Sequence, residues 1–177
     1  MTTLPAEVAE KIRDIRLLLL DVDGVLTDGR FGLMAGGGEI KFFSSHDGLG
    51  IRLMQKAGCA VGFLSGRKSQ EVALRANELG VDIVIEGSVD KVKDFEKILS
   101  QQNLDASQVA YIGDDLPDLP VLKRVGFSAA PHNATEAIKE SVDYVTKRKG
   151  GEGAVREVVE LLLQSSGTWA DVLAHFS

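Results

Sequence analysis

A chain of 177 residues, 44% of them hydrophobic and 26% charged, with a mean hydropathy close to zero, can bury one substantial core and is predicted to form a single domain over 1–177. No apolar stretch nears the roughly 20 residues of a membrane-spanning helix, and residues 1–13 lack a signal-peptide core. No membrane partner and a cytoplasmic location are therefore expected, and the lone Cys59, which has no partner within the chain, fits a reducing compartment and a packing role. A formal charge of −6 argues against a nucleic-acid partner, because phosphate backbones are bound by basic stripes.

Short apolar runs then alternate with amphipathic stretches. The first strand is predicted over 16–21, where four leucines lead to Asp21, and Asp23-Gly24 follow at once. Residues 28–43 break the alternation: Phe31 and Leu33, a turn of Ala35-Gly36-Gly37-Gly38, then Ile40 and Phe42 read as an antiparallel hairpin. Helices are expected over 48–57, 69–79, 91–101, 117–125, 134–140 and 153–164, and strands over 60–64, 82–85, 109–112, 126–129 and 144–145. Residues 165–177, opening on Ser165-Ser166-Gly167, read as a hinge and an appended tail with an exposed Trp169. The pattern is that of an α/β fold, a doubly wound, Rossmann-like parallel sheet with a small β-hairpin insert.

Four clusters fall at the carboxyl ends of these strands, the side of an open α/β sheet where ligands bind. Asp21 and Asp23 close the first strand, and crowding two carboxylates there calls for a cation or a shared proton. Ser65-Gly66-Arg67 follows the next strand and offers a hydroxyl and amides to an anion. Lys91 opens a helix, and Gly113-Asp114-Asp115 is followed by Asp118 one turn on. Carboxylates for Mg²⁺ together with a hydroxyl and an ammonium for phosphate oxygens match phosphoryl transfer. A calcium loop is the rival for Asp21-Val22-Asp23-Gly24, but Val25, Leu26 and Gly32 stand where an EF-hand needs a ligand, a glycine and a glutamate. His46 and His132 have no metal-ligand spacing.

In Asp21-Val22-Asp23-Gly24-Val25-Leu26-Thr27, Ser65, Lys91 and Gly113-Asp114-Asp115 the chain resembles the haloacid dehalogenase superfamily. That resemblance implies that Asp21 attacks phosphorus to give an aspartyl-phosphate and that Asp23 protonates the leaving alkoxide and later activates water. It also implies that Asp21, Asp114 and the backbone carbonyl of Asp23 hold Mg²⁺, and that Ser65 and Lys91 bind the phosphoryl oxygens. The strings Ser44-Ser45-His46-Asp47-Gly48-Leu49-Gly50-Ile51-Arg52, Arg75-Ala76-Asn77, Ala110-Tyr111-Ile112 and Gly150-Gly151-Glu152-Gly153-Ala154-Val155-Arg156-Glu157 are similar to the 3-deoxy-D-manno-octulosonate 8-phosphate phosphatases.

This closer resemblance implies a sugar phosphate substrate on the path to lipopolysaccharide. The loop Ser44, Ser45, His46, Asp47 and Gly48 would line the sugar pocket, with Arg52, Arg67 and Arg75 meeting the sugar acid. It implies a homotetramer in which the hairpin, standing in place of a cap domain, roofs a neighbour's pocket. Two rivals remain: a phosphatase for nine-carbon keto sugar acid phosphates, a branch with Glu in place of Arg67 and Lys in place of Glu78, and a non-catalytic oligomerisation module. The intact acidic residues and Lys91 argue against the module.

Overall fold

The computed structural model describes residues 6–174 and 176. Leu17–Leu20 form β1, and all four side chains are fully buried. Leu17 and Leu19 enter one apolar cluster while Leu18 and Leu20 enter the other, as period-two alternation requires of a strand covered on both faces.

The remaining strands of the main sheet are β4 (Ala60–Leu64), β5 (Ile83–Ile85), β6 (Val109–Ile112), β7 (Phe127–Ala130) and β8 (Tyr144–Val145), numbered to leave β2 (Gly32–Leu33) and β3 (Glu39–Ile40) for the hairpin. The sheet is parallel throughout, in the order β5-β4-β1-β6-β7-β8. Leu20 lies beside Phe63 of β4 and Ile112 of β6, so these three strands end level with one another. The chain runs outward from β1 through β4 and β5, then returns to the other side of β1 with β6. That reversal opens a crevice at the carboxyl ends of β4, β1 and β6.

The helices are α1 (Ala6–Arg13), α2 (Ser45–Lys56), α3 (Gln70–Leu79), α4 (Lys91–Gln102), α5 (Leu119–Leu122), α6 (Glu136–Lys139), α7 (Ala154–Ser165) and α8 (Trp169–Ala174). One face of the sheet is covered by Ile12, Ile51, Val72, Val155 and Val159 from α1, α2, α3 and α7. The other is covered by Phe95 and Ile98 of α4, Val121 and Leu122 of α5 and Ile138 of α6. The Cys59 thiol is buried and burial pushes it up to about 12, so it packs as a small apolar group.

Three elements depart from the expectation. The helix expected over 117–125 is a 3₁₀ turn, Leu116–Asp118, followed by the four residues of α5, because Pro117 and Pro120 each remove an N–H donor. The tail is not a loose appendage: α8 buries Val172 and lays the half-buried Trp169 against the core. The segment 44–48 is not a loop. Ser44 is the N-cap of α2, its hydroxyl accepting from Asp47 N at 3.4 Å, and Ser45 to Gly48 form the first turn.

The hairpin is present but slight. Its ladder pairs only Gly32 with Ile40 and Leu33 with Glu39, and Leu33 and Phe42 remain 79% and 76% exposed.

Candidate active site

Beyond β1 the backbone folds back at once. Val22 O accepts from the amides of Val25, Leu26 and Thr27, and the buried Thr27 hydroxyl accepts from Gly24 and Gly29 N. Gly24 adopts φ +93, and a side chain there would collide with the Asp114 carboxylate. This turn thus lets Asp114, at the end of β6, reach Asp21 at the end of β1.

Asp21, Asp114 and Asp118 each present a carboxylate oxygen within 4.8 Å of one another. Burial, then the Asp118 charge, raises the Asp21 pKa to about 6 against the pull of Lys91. Burial, then Asp21 and Asp118, raises Asp114 to about 8. The sequence placed the crowded pair at Asp21 and Asp23; the structure places it at Asp21 and Asp114, residues brought together from two strands. Three hard carboxylate donors this close fit a divalent cation such as Mg²⁺, whose charge would offset their mutual repulsion.

Asp118 is held from every side. Its Oδ2 accepts from Asp114 N at 3.0 Å and Asp115 N at 3.2 Å, and its Oδ1 accepts from Lys91 Nζ at 2.6 Å and from the Tyr111 hydroxyl at 2.5 Å. The buried Lys91 also donates to Asp21 Oδ1 at 2.9 Å and Tyr111 Oη at 3.3 Å. Burial disfavours its charge, but Asp21 and Asp118 outweigh that and raise its pKa, so it stays an ammonium. Burial and Asp118 push the Tyr111 phenol upward in turn, keeping it protonated. Asp90 supports this corner by capping α4, its carboxylate accepting from Val92 and Lys93 N at 3.1 Å.

Ser65, buried at the end of β4, accepts from Arg67 N at 3.3 Å, which leaves its own O–H to donate; Gly66 continues the turn beneath Ser88. Asp23 faces the hairpin. Its Oδ1 is paired with Lys41 Nζ, and Arg67 Nε stands 3.6 Å from its Oδ2. Arg67 also binds Glu39 Oε2 at 3.0 Å and lies over the Phe31 ring at 4.1 Å.

Other expected sugar-binding residues are employed elsewhere. The buried Asp47 carboxylate does not face a pocket: it accepts from Gly153 N at 3.2 Å and Arg156 N at 2.8 Å, clamping the start of α7 to α2. Burial, opposed by those amides, raises its pKa. Arg52 donates to Glu78 O at 2.7 Å, at the end of α3 and about 12 Å along α2 from Ser44. Arg75 pairs with Glu78 at 2.8 Å and donates to Ser44 O at 3.3 Å, passing so close to Gly48 that a Cβ there would strike its guanidinium. The exposed His46 lines a cavity of about 670 Å³ with Lys147, Arg148 and Arg156, none of it formed by Asp21, Asp23, Ser65 or Lys91. The acidic crevice and this cavity are therefore separate.

Lys41, Glu39 and Tyr111 were not singled out from the sequence. Tyr111 carried a signal, a polar tip in a strand of otherwise apolar residues immediately before Gly113-Asp114. Lys41 carried only its place between Ile40 and Phe42.

Known proteins match this arrangement. The haloacid dehalogenase-like hydrolase family model matches residues 81–158. The 3-deoxy-D-manno-octulosonate 8-phosphate phosphatase KdsC of Escherichia coli K12 is 42% identical over 162 residues, 92% of this chain and 86% of that protein. The chain belongs to the 3-deoxy-D-manno-octulosonate 8-phosphate phosphatase family. Among solved members, the Moraxella catarrhalis phosphatase, in complex with magnesium, phosphate and KDO, superposes with a TM-score of 0.94 at 37% identity, covering 97% of this chain and 98% of that one. The cobalt-bound Haemophilus influenzae phosphatase gives 0.86 at 39% identity over 89% and 92%. Members of this family have been solved with metal, and here the acidic crevice of Asp21, Asp114 and Asp118 has the donors a metal requires.

Proposed function

We infer that this chain is a Mg²⁺-dependent phosphomonoesterase that hydrolyses 3-deoxy-D-manno-octulosonate 8-phosphate to the free sugar acid and phosphate, a step toward lipopolysaccharide. The observation that carries the reading is the crevice itself, where Asp21 lies between the Lys91 ammonium and the Asp114 carboxylate, in a chain of this family. Asp21, Asp114 and the Asp23 carbonyl would hold Mg²⁺, which when bound neutralises carboxylate and phosphoryl charge. Asp21 attacks phosphorus, and its carboxylate becomes an acyl phosphate as the ester O–P bond breaks. Asp23 gives its proton to the departing alkoxide and then takes one from the water that hydrolyses the acyl phosphate. The Ser65 hydroxyl and Lys91 hold the phosphoryl oxygens as charge shifts onto them. Arg67, half-exposed at the mouth, is the arginine best placed to meet the sugar carboxylate.

Steady-state kcat/KM over a panel of sugar phosphates with Mg²⁺ tests this reading. The octulosonate 8-phosphate is expected to exceed nine-carbon keto sugar acid phosphates and simple hexose phosphates by about 100-fold or more. A flat profile would remove the assigned specificity, and a protein inactive on all of them would restore the oligomerisation module as the better reading.

We further propose a homotetramer built through the hairpins, and a cytoplasmic location, which cell fractionation would test. Two-residue strands are not stable alone in water, and the hairpin leaves Leu33, Ile40 and Phe42 exposed. A Leu33→Ser, Phe42→Ser double variant should sediment as a smaller species than the wild type; a variant that remains tetrameric would contradict the proposal.

A further inference from the structure

Apart from its exposed tip, the hairpin sends a buried cation into its own active site. Lys41 follows β3, and its side chain is completely buried although it carries a charge. Burial of that kind is tolerated only with a close counter-charge. Glu39 Oε1, 3.5 Å away, supplies it, while Asp23 Oδ1 accepts a hydrogen bond from the ammonium and the Phe31 ring lies 5.9 Å from it. The other Asp23 oxygen is in the opposite situation. Oδ2 is buried without a hydrogen-bond partner among the described residues, and the group over it, Arg67 Nε, stands at 3.6 Å, beyond hydrogen-bond range.

The two oxygens are therefore not equivalent. One is fixed by a cation whose side chain is fully buried; the other is covered by an arginine that is 47% exposed and can swing away. We propose that Lys41 is the positioning residue of Asp23, holding its carboxyl by Oδ1 so that Oδ2 is the oxygen that exchanges the proton with the leaving group. Arg67 uncovers Oδ2 when it turns to an anionic substrate. In the first half-reaction the Oδ2–H proton passes to the alkoxide as the ester O–P bond breaks and the Asp21–phosphorus bond forms. In the second, Oδ2 takes the proton of the attacking water. The hairpin thereby acts on the chain that carries it, whatever its tip contacts. The inference rests on the reading of the chain as a phosphomonoesterase.

Its signature is dependence on the leaving group. An alkoxide needs a proton to depart, whereas p-nitrophenolate does not, and kcat/KM covers the steps through leaving-group departure. In Lys41→Met, kcat/KM for the octulosonate 8-phosphate is expected to fall about 100-fold or more, and that for p-nitrophenyl phosphate by no more than about 3-fold. Lys41→Arg should recover most of the loss on the sugar phosphate. Activity on p-nitrophenyl phosphate reports that the variant is folded. Equal losses on both esters, or no loss on either, would overturn the role of Lys41 while leaving the phosphatase reading intact. A wild type that hydrolyses neither ester would overturn both.

Discussion

Asp21→Asn is expected to abolish turnover, lowering kcat by about 10⁴-fold or more, while leaving the protein folded. The amide is nearly the same shape as the carboxylate but cannot attack phosphorus, and no other side chain in the crevice stands in its place: Asp114 is turned to the cation site and Asp118 is bound by four donors. The stability outcome is opposite to that of most buried substitutions. Asp21 is raised to about 6 by burial and the Asp118 charge, so at neutral pH it is a carboxylate that the metal-free fold holds at a loss. Without Mg²⁺ the melting temperature of the variant should hold within about 3 °C of wild type or rise, and the stabilisation that Mg²⁺ gives the wild type should shrink. Melting curves with EDTA and with Mg²⁺, run beside the phosphatase assay, check both. Activity within about tenfold of wild type would remove Asp21 as the nucleophile.

What could be read in advance was local. Four leucines ending in Asp21, an apolar run ending in Gly113-Asp114, and the turn at Ser65-Gly66 each declare a strand end, and the α/β rule that ligands bind at those ends gathers them into one site. The two-sided burial of β1 follows from its unbroken apolar run. What escaped was pairing between segments far apart in the chain. Asp47 reads as a pocket residue beside His46, yet its partners are amides more than a hundred positions later, at the start of α7. Arg52 and Arg75 look like free cations on helices until the Glu78 carbonyl meets the first and the Ser44 carbonyl the second, each from the neighbouring helix. Lys41 alternates with Ile40 and Phe42 in a way that assigns it a face of the hairpin, but not that this face lies over Asp23. The tail misled for a related reason: a glycine before Trp169 suggests a hinge, whereas Val172 and Trp169 join the apolar core with α8 packed against α7.

The buried network around Lys91 leads to the second large effect. Lys91→Met keeps the length of the side chain and removes the charge that Asp21 Oδ1, Asp118 Oδ1 and the Tyr111 hydroxyl share. Taking one partner from a buried ion pair costs about 3–5 kcal/mol, because the other charge remains in place without compensation. For a chain of this length each kcal/mol lowers the melting temperature by roughly 2–4 °C, so a fall of about 6–20 °C is expected at neutral pH. The loss should depend on pH in a defined sense. Lys91 holds the Asp21 pKa down; without it Asp21 climbs above about 6, and a group raised in the fold favours the fold when protonated. The deficit should therefore widen as pH rises toward 8 and shrink as pH falls toward about 6, below which Asp21 is protonated in both folds. Were Lys91 only a contact for the phosphate, kcat/KM would drop and the melting curves of variant and wild type would coincide at every pH. The network requires both to move, because the cation that receives the phosphoryl group is also the one that keeps Asp21, Asp118 and Tyr111 together before any substrate arrives.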